Sequence, residues 1–252
     1  MSSAVIFSDL HLPNFKNDDY RLFLKTLASF ESRADISELW LLGDIFDCFV
    51  GDQGFWMELH GDFWAQLERL AKAGKKVLYF EGNHDFAFKS IAIRHGIQAF
   101  SEGRCHLFQG RRVFLSHGDE IDVDDEAYAR WRKFIKSSNI RRAYKLVPPA
   151  LTRKFLVPFA EAYSSKRKLK RDPEHFENEV VVYREKFRHY AETVLRERAY
   201  HAVFLGHSHM EELEVLGANS FYCNLGSWLG EAKPYAIWDP EKQSVPTLLN
   251  CT

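Results

Sequence analysis

Five times along this chain a short apolar run stops in a small cluster of Asp, His or Asn. The clearest case is residues 39–47, LWLLGDIFD, where the run ends at Gly43 and Asp44 follows at once. Residues 5–8 lead into Asp9-Leu10-His11, and 76–80 into Gly82-Asn83-His84-Asp85. Residues 113–116 lead into His117-Gly118-Asp119, and 202–205 into Gly206-His207-Ser208-His209. Apolar runs of this length, closed by turn residues, fit strands buried in a parallel sheet. In open α/β sheets the chemistry sits beyond the carboxyl ends of the strands. A single strand-end Asp usually caps a turn, and a single His usually makes a core hydrogen bond. Repetition of the pattern predicts one rim that gathers Asp9, His11, Asp44, Asn83, His117, His207 and His209.

Between these strands, residues 19–29, 55–73 and 86–95 have helical spacing, with Gly74 and Gly96 as stops. Late strands are expected at 221–224 and 235–238. A chain of 252 residues suits one large domain, or one domain with an insertion. The formal net charge of −1 names no partner. No apolar run reaches transmembrane length. The opening MSSAVIFSDLH lacks a basic leader followed by a long apolar stretch, so no signal peptide is expected. Cys48, Cys105, Cys223 and Cys251 form no CxxC pair, which is the expectation for reduced thiols in a cytoplasm.

The rim combines carboxylate, imidazole and amide oxygen without thiolate. Such donors suit Mn, Fe or Zn rather than a Cys-rich structural zinc site. Seven ligands are too many for one ion and about right for two, with a carboxylate as the natural bridge. Two-metal sites activate a nucleophile at neutral pH and clamp the oxygens of a phosphoryl group during in-line displacement. Their residual positive field favours an anionic substrate.

DLH, GDIFD, GNHD, HGD and GHSH, in this order, resemble the calcineurin-like metallophosphoesterases. The resemblance implies an α/β fold, a four-layered α/β/β/α sandwich, with a dimetal centre. By that pattern Asp9, His11, Asp44 and His209 hold one ion. Asp44, Asn83, His117 and His207 hold the other, with Asp44 bridging. His84 is then the catalytic imidazole that meets the substrate phosphate or protonates the leaving group, and Asp85 orients it.

A long segment between His117 and His207 carries no strand-end motif and reads as helices at 125–137, 149–162 and 173–198. The expected division is a core of 1–124 and 199–252 with a helical cap inserted at 125–198. Over 126–200 the chain has 19 Lys/Arg against 9 Asp/Glu, and large apolar residues crowd 146–159. Such a segment can be a solvated cap, a nucleic-acid surface or a wedge lying on an anionic membrane. Aromatics suitable for base stacking are not spaced along the basic runs, so nucleic acid is not expected and the membrane is favoured.

DLHL, GDIFD with Gly51-Asp52, HGD with Asp124-Asp125, and Tyr163-Ser164-Ser165-Lys166 resemble, more narrowly, the bacterial UDP-2,3-diacylglucosamine pyrophosphohydrolases. That resemblance implies cleavage of the pyrophosphate to UMP and 2,3-diacylglucosamine 1-phosphate in lipid A biosynthesis. It also implies Mn as the usual metal and a helical cap that holds the acyl chains. Asp125 would contact the glucosamine and Lys166 a phosphate, while Asn83, His84 and His207 would meet the phosphate at the metals. The chain departs from the best-described members in having GNHD where they have GNRD, as a divergent branch of the group does, and in having Tyr163 where a small polar residue is expected. The expectation is therefore a UDP-linked acylated sugar as substrate and peripheral contact at the cytoplasmic face of the inner membrane, with no obligate protein partner. A phosphodiesterase or phosphomonoesterase acting on nucleotides or phosphoproteins is the rival enzyme. A non-catalytic scaffold on the same fold would have degraded ligands, and all seven stand.

Overall fold

A computed structural model describes residues 2–13, 15–51, 54–122, 126–137, 173–217 and 220–252. Asp125, Lys166 and the apolar stretch at 146–159 lie outside the described residues, as does the helix expected at 149–162. The strands are β1 (Ser3–Phe7), β2 (Ile36–Leu41), β3 (Phe49–Val50), β4 (Lys76–Phe80), β5 (Asp85–Phe86), β6 (Gln98–Phe100) and β7 (Arg104–Phe108). They continue with β8 (Arg111–Leu115), β9 (Ala202–Leu205), β10 (Glu211–Val215), β11 (Phe221–Leu225), β12 (Pro234–Trp238) and β13 (Thr247–Asn250). The helices are α1 (Asp18–Ser29), α2 (Gly54–Lys72), α3 (Lys89–Arg94), α4 (Glu126–Ile135) and α5 (Pro173–Arg198).

Two sheets form. One has the order β13-β12-β1-β2-β4-β6, the other β10-β11-β9-β8-β7. Strands β1, β2, β4 and β6 run parallel, as do β8, β9 and β11; the antiparallel pairs lie toward the edges. The expected rim is therefore shared between two sheets, three strand ends from the first and two from the second.

Side-chain alternation dictates the layering. In β1, β2 and β4, Val5, Phe7, Leu39, Leu41, Val77 and Tyr79 face α1, α2 and α3, while Ala4, Ile6, Trp40, Leu42, Leu78 and Phe80 face the second sheet. The second sheet answers with Val113, Leu115, Ala202 and Phe204, and turns Phe114, Val203 and Leu205 outward. Burial on both faces is why these runs lack polar alternation. Phe187, Ala191 and Leu195, four residues apart on α5, cover the outer face of the second sheet and complete the α/β/β/α sandwich. The helix placed by sequence in the insertion thus packs its second half onto the core.

Smaller differences have local causes. Asn17 caps α1 by accepting the Tyr20 N–H at 2.9 Å, so the helix begins at Asp18, one residue before the expected start. The helix expected at 86–95 begins only at Lys89, because Phe86 pairs with Val50 in a two-stranded ladder.

Helix α2 kinks at His60, whose ring is fully buried against Phe46, Phe49 and Tyr20. Neither ring nitrogen has a hydrogen-bond partner among the described residues. Burial, which outweighs the opposing pull of Asp62, lowers its pKa from 6.5 to about 3. The unfolded chain protonates this ring below pH 6.5 and the folded one does not until far lower, so stability falls as pH drops through that window. With metals removed, His60→Leu should flatten the fall between pH 7 and 5 by up to ~1.4 kcal/mol per pH unit relative to the parent. Denaturant melts at the two pH values read this directly, and parallel slopes would clear His60 of the effect.

Candidate metal centre

The strand register brings the motifs level. Phe7 pairs with Leu41 and Leu41 with Tyr79, so Asp9, Asp44 and Asn83 leave neighbouring strands two, three and four residues later. In the second sheet Leu115 pairs with Phe204, which levels His117 with His207. The two rims are then tied together. His117 Nδ1 donates to the Leu42 carbonyl at 2.8 Å, and the His207 N–H donates to the Asp9 carboxylate at 3.0 Å. Asn224 donates to the Gly206 carbonyl at 2.8 Å and steadies the turn that carries both histidines of GHSH.

The backbone here is strained. Asp9, His11, Asp44, His207 and His209 all have left-handed φ, between 49° and 68°. Non-glycine residues avoid this region at a cost of roughly 1–2 kcal/mol each, and it concentrates where side chains must be aimed. The glycines of the motifs serve close approach. A Cβ on Gly82 would collide with the Asp44 carboxylate, and one on Gly206 with that of Asp9.

Asp9, Asp44, His11 and His117 make a buried floor, while Asn83, His84, His207 and His209 are half-buried on the open side. Three overlapping groups have ligand atoms within 4.8 Å of one another: Asp9, His11 and His209; His11, Asp44 and His84; Asp44, His117 and His207. Asn83 Oδ1 lies 3.2 Å from His117 Nε2 and extends the third group. Asp44 belongs to two groups, with Oδ2 3.4 Å from His117 Nε2 and 4.0 Å from His11 Nε2.

These residues fit divalent ions. His11 Nε2 and His209 Nε2 face each other at 3.0 Å, a spacing that needs a proton or a cation between them. Burial opposes ionisation of Asp44, yet the imidazoles of His117 and His84 hold its carboxyl well below the usual carboxylate range. Burial likewise lowers His117, and Asp44 and Asp9 overcome it, pushing the ring up to about 10. The cluster thus carries a negative field that demands positive charge. The ring nitrogens are also pre-assigned. His117 Nδ1 is taken by the Leu42 carbonyl and His84 Nδ1 by the Asp47 carbonyl at 2.8 Å, which leaves each Nε2 facing inward.

A family model described as calcineurin-like phosphoesterase matches residues 3–211. The chain belongs to the calcineurin-like phosphoesterases. Among its relatives is a UDP-2,3-diacylglucosamine hydrolase of Photorhabdus laumondii, 26% identical over 94% of this chain and 95% of that protein. One of the same name from Aromatoleum aromaticum is 27% identical over 94% and 93%. One from Azotobacter vinelandii is 31% identical over 54% and 55%. Of solved structures, a Vps29 double mutant from Entamoeba histolytica aligns at a TM-score of 0.46 and 13% identity, covering 94% of this chain and 85% of that one. This phosphoesterase is a metal-dependent hydrolase. No helix among its described residues is long and apolar enough to cross a membrane.

Asp85 has a different task from the one sequence suggested. Its buried carboxylate accepts the N–H groups of Asp44 at 2.9 Å, Ile45 at 2.6 Å, Phe46 at 3.3 Å and Gly82 at 3.1 Å, and the Tyr79 hydroxyl at 2.6 Å. It therefore holds the Asp44 turn, and the Asp47 carbonyl, not Asp85, fixes the His84 ring. Burial, with the Asp44 charge behind it, pushes the Asp85 carboxyl up, against the pull of these donors. Sequence reasoning missed two further residues of this phosphoesterase. Asp47 holds His84 by its carbonyl and lies 3.4 Å from His11 Nδ1 by its carboxylate. Asp122 sits 3.0 Å from His207 Nε2. The second Asp of GDIFD was visible as a motif position, whereas nothing near Asp122 in sequence points to His207.

Proposed function

We propose that this phosphoesterase hydrolyses the pyrophosphate of UDP-2,3-diacylglucosamine, giving UMP and 2,3-diacylglucosamine 1-phosphate in lipid A biosynthesis. The observation that carries the reading is the joint one: relatives of that name match nearly end to end, and the expected rim residues fall into three overlapping groups, with Asn83 beside His117. Asp9, His11, Asp44 and His209 would hold one ion, and Asp44, Asn83, His117 and His207 the other. Mn is the first candidate, with Fe or Zn compatible with the same donors. When bound, such ions activate water and polarise the phosphoryl oxygens.

The protein's own groups do the rest. His84, with Nδ1–H anchored on the Asp47 carbonyl, presents Nε2 on the open side, where the protonated ring would donate to the substrate phosphate or to the leaving oxygen. Asn83 and His207, on the same side, would meet the phosphate. Segment 125–198 would form the cap over this opening, with the second half of α5 as its anchor on the core. Asp125 and Lys166 would contact the sugar and a phosphate from that cap. Its basic and apolar residues would rest on the anionic cytoplasmic face of the inner membrane.

The deciding experiment is turnover of UDP-2,3-diacylglucosamine beside a nonspecific aryl phosphodiester, with Mn and after chelation. Metal-dependent cleavage of the lipid nucleotide is expected to dominate. Cleavage of the aryl diester alone would leave the enzyme class standing and remove the substrate. His84→Ala should keep both ions and lose ~10²–10⁴-fold in turnover, the range for a missing acid or base. Loss of an ion instead would make His84 a ligand, as its place beside His11 and Asp44 permits.

A further inference from the structure

Asp122 has no place in the ligand set described above. It follows the short 3₁₀ turn Asp119–Ile121 that leaves β8. Its Oδ2 lies 3.0 Å from His207 Nε2 and accepts the Tyr183 hydroxyl at 2.6 Å, while Oδ1 accepts the Lys186 ammonium at 3.2 Å. Tyr183 and Lys186 are three residues apart on α5 and so share a face. The end of β8, the end of β9 and helix α5 thus converge on one carboxyl group.

We propose that Asp122 is a positioning residue for His207: it fixes Nε2 as the protonated nitrogen, leaves Nδ1 for the ion shared with Asp44 and His117, and through Tyr183 and Lys186 ties that half of the centre to α5. The inference rests on His207 being a ligand, as read above.

A neutral imidazole has one donor nitrogen and one acceptor, and whatever accepts from the first decides which is which. His117 and His84 are both fixed at Nδ1 by backbone carbonyls, and both leave Nε2 inward. His207 is inverted. Its left-handed backbone, φ 68°, and its N–H bond to Asp9 bring it in from the opposite sheet, so it needs an acceptor at Nε2. Asp122 is that acceptor, and a carboxylate there strengthens the other nitrogen as a ligand. The plane of the ring is set independently. The Phe187 ring lies at 29° to it and the Tyr128 ring at 32°, with centroids 6.3 and 5.9 Å away. Rotation within that plane is left to Asp122. Lys186 places a positive charge on the far oxygen, which offsets the added negative charge so close to Asp9 and Asp44.

The test is metal affinity of the full chain, read by competition with a chromophoric chelator for Mn and by ion stoichiometry, with the melting temperature of the metal-free protein alongside. Wild type should hold two ions. Asp122→Ala should weaken one of them by ~10–100-fold and spare the other, the usual size of such a loss. Asp122→Asn keeps an amide oxygen for Nε2–H and should recover most of the affinity. Tyr183→Phe should weaken the same ion by less. Wild-type affinity for both ions in Asp122→Ala overturns the inference. Equal weakening of both ions with a lowered metal-free melting temperature, unrescued by Asp122→Asn, also overturns it, since that marks a general structural role. Fewer than two ions in wild type overturns the ligand reading and the inference with it.

Discussion

Asp44→Ala should leave the protein with at most one bound ion and turnover at background. Asp44, like His11, belongs to two of the three ligand groups, and its carboxylate is almost wholly buried between His11 and His117. Removing it deletes the negative charge around which the imidazoles are arranged and, with it, the proposed bridge between two ions. Its other oxygen accepts the His84 N–H at 2.9 Å, so the loop bearing the proposed acid loses its anchor as well. Asp44→Asn separates charge from shape. Asn tolerates the left-handed backbone that Asp44 adopts and can still accept from His84, yet it supplies no negative charge. We expect Asn to fold like wild type and to lose the second ion all the same. Elemental analysis together with turnover decides the matter. Two ions and appreciable activity in either variant would end the bridging assignment.

Asp85→Ala should destabilise the fold and empty the metal centre without touching a ligand. Four backbone N–H groups and one hydroxyl point at this carboxylate from three short stretches of chain. A buried donor left without an acceptor costs about 1–3 kcal/mol, so even partial rescue by water leaves several kcal/mol unrecovered. In a chain of this size that is a drop of roughly 10 °C in melting temperature. The donors from Asp44, Ile45 and Phe46 are what hold the Asp44 turn in its strained form, so affinity for the ions should fall together with stability. A melting temperature within a degree or two of wild type, with both ions retained, would show that Asp85 is dispensable to the turn.

Much of this was legible because it is written in short range. The five strand ends announce themselves by a change from apolar to ligand-bearing residues within two or three positions, and the structure gathers those residues. The division into two sheets was legible only through the family resemblance, not in the strand pattern itself. Strands β6, β7, β10 and β13 are the edge strands of the two sheets, where polar and exposed residues blur the pattern. The roles of Asp85, Asp47 and Asp122 were hidden for another reason. Each acts on a group 37 to 85 residues away, and only the folded register makes them neighbours. Adjacent numbering suggested that Asp85 orients His84; a carboxylate at that point instead meets the amides of a turn on the next strand. The GHSH histidines could be found by motif, but which nitrogen of each ring faces inward depends on acceptors no motif contains.

Strands β8 and β9 lie side by side and run the same way. Parallel neighbours can never be joined by a tight turn; their connection must travel the length of the sheet and return, whatever else it does. Residues 116–201 make that journey, and α5 on the outer face is its return leg. Once a crossover exists, lengthening it adds little to the entropy of closing it, roughly 0.6 kcal/mol for each doubling. The chain can therefore carry a large, compositionally distinct segment at this one place without shifting His117 against His207. If the inserted segment carries the substrate contacts proposed for it, substrate preference and bond-breaking chemistry can drift apart over evolutionary time, the first rewritten between two strands whose pairing preserves the second.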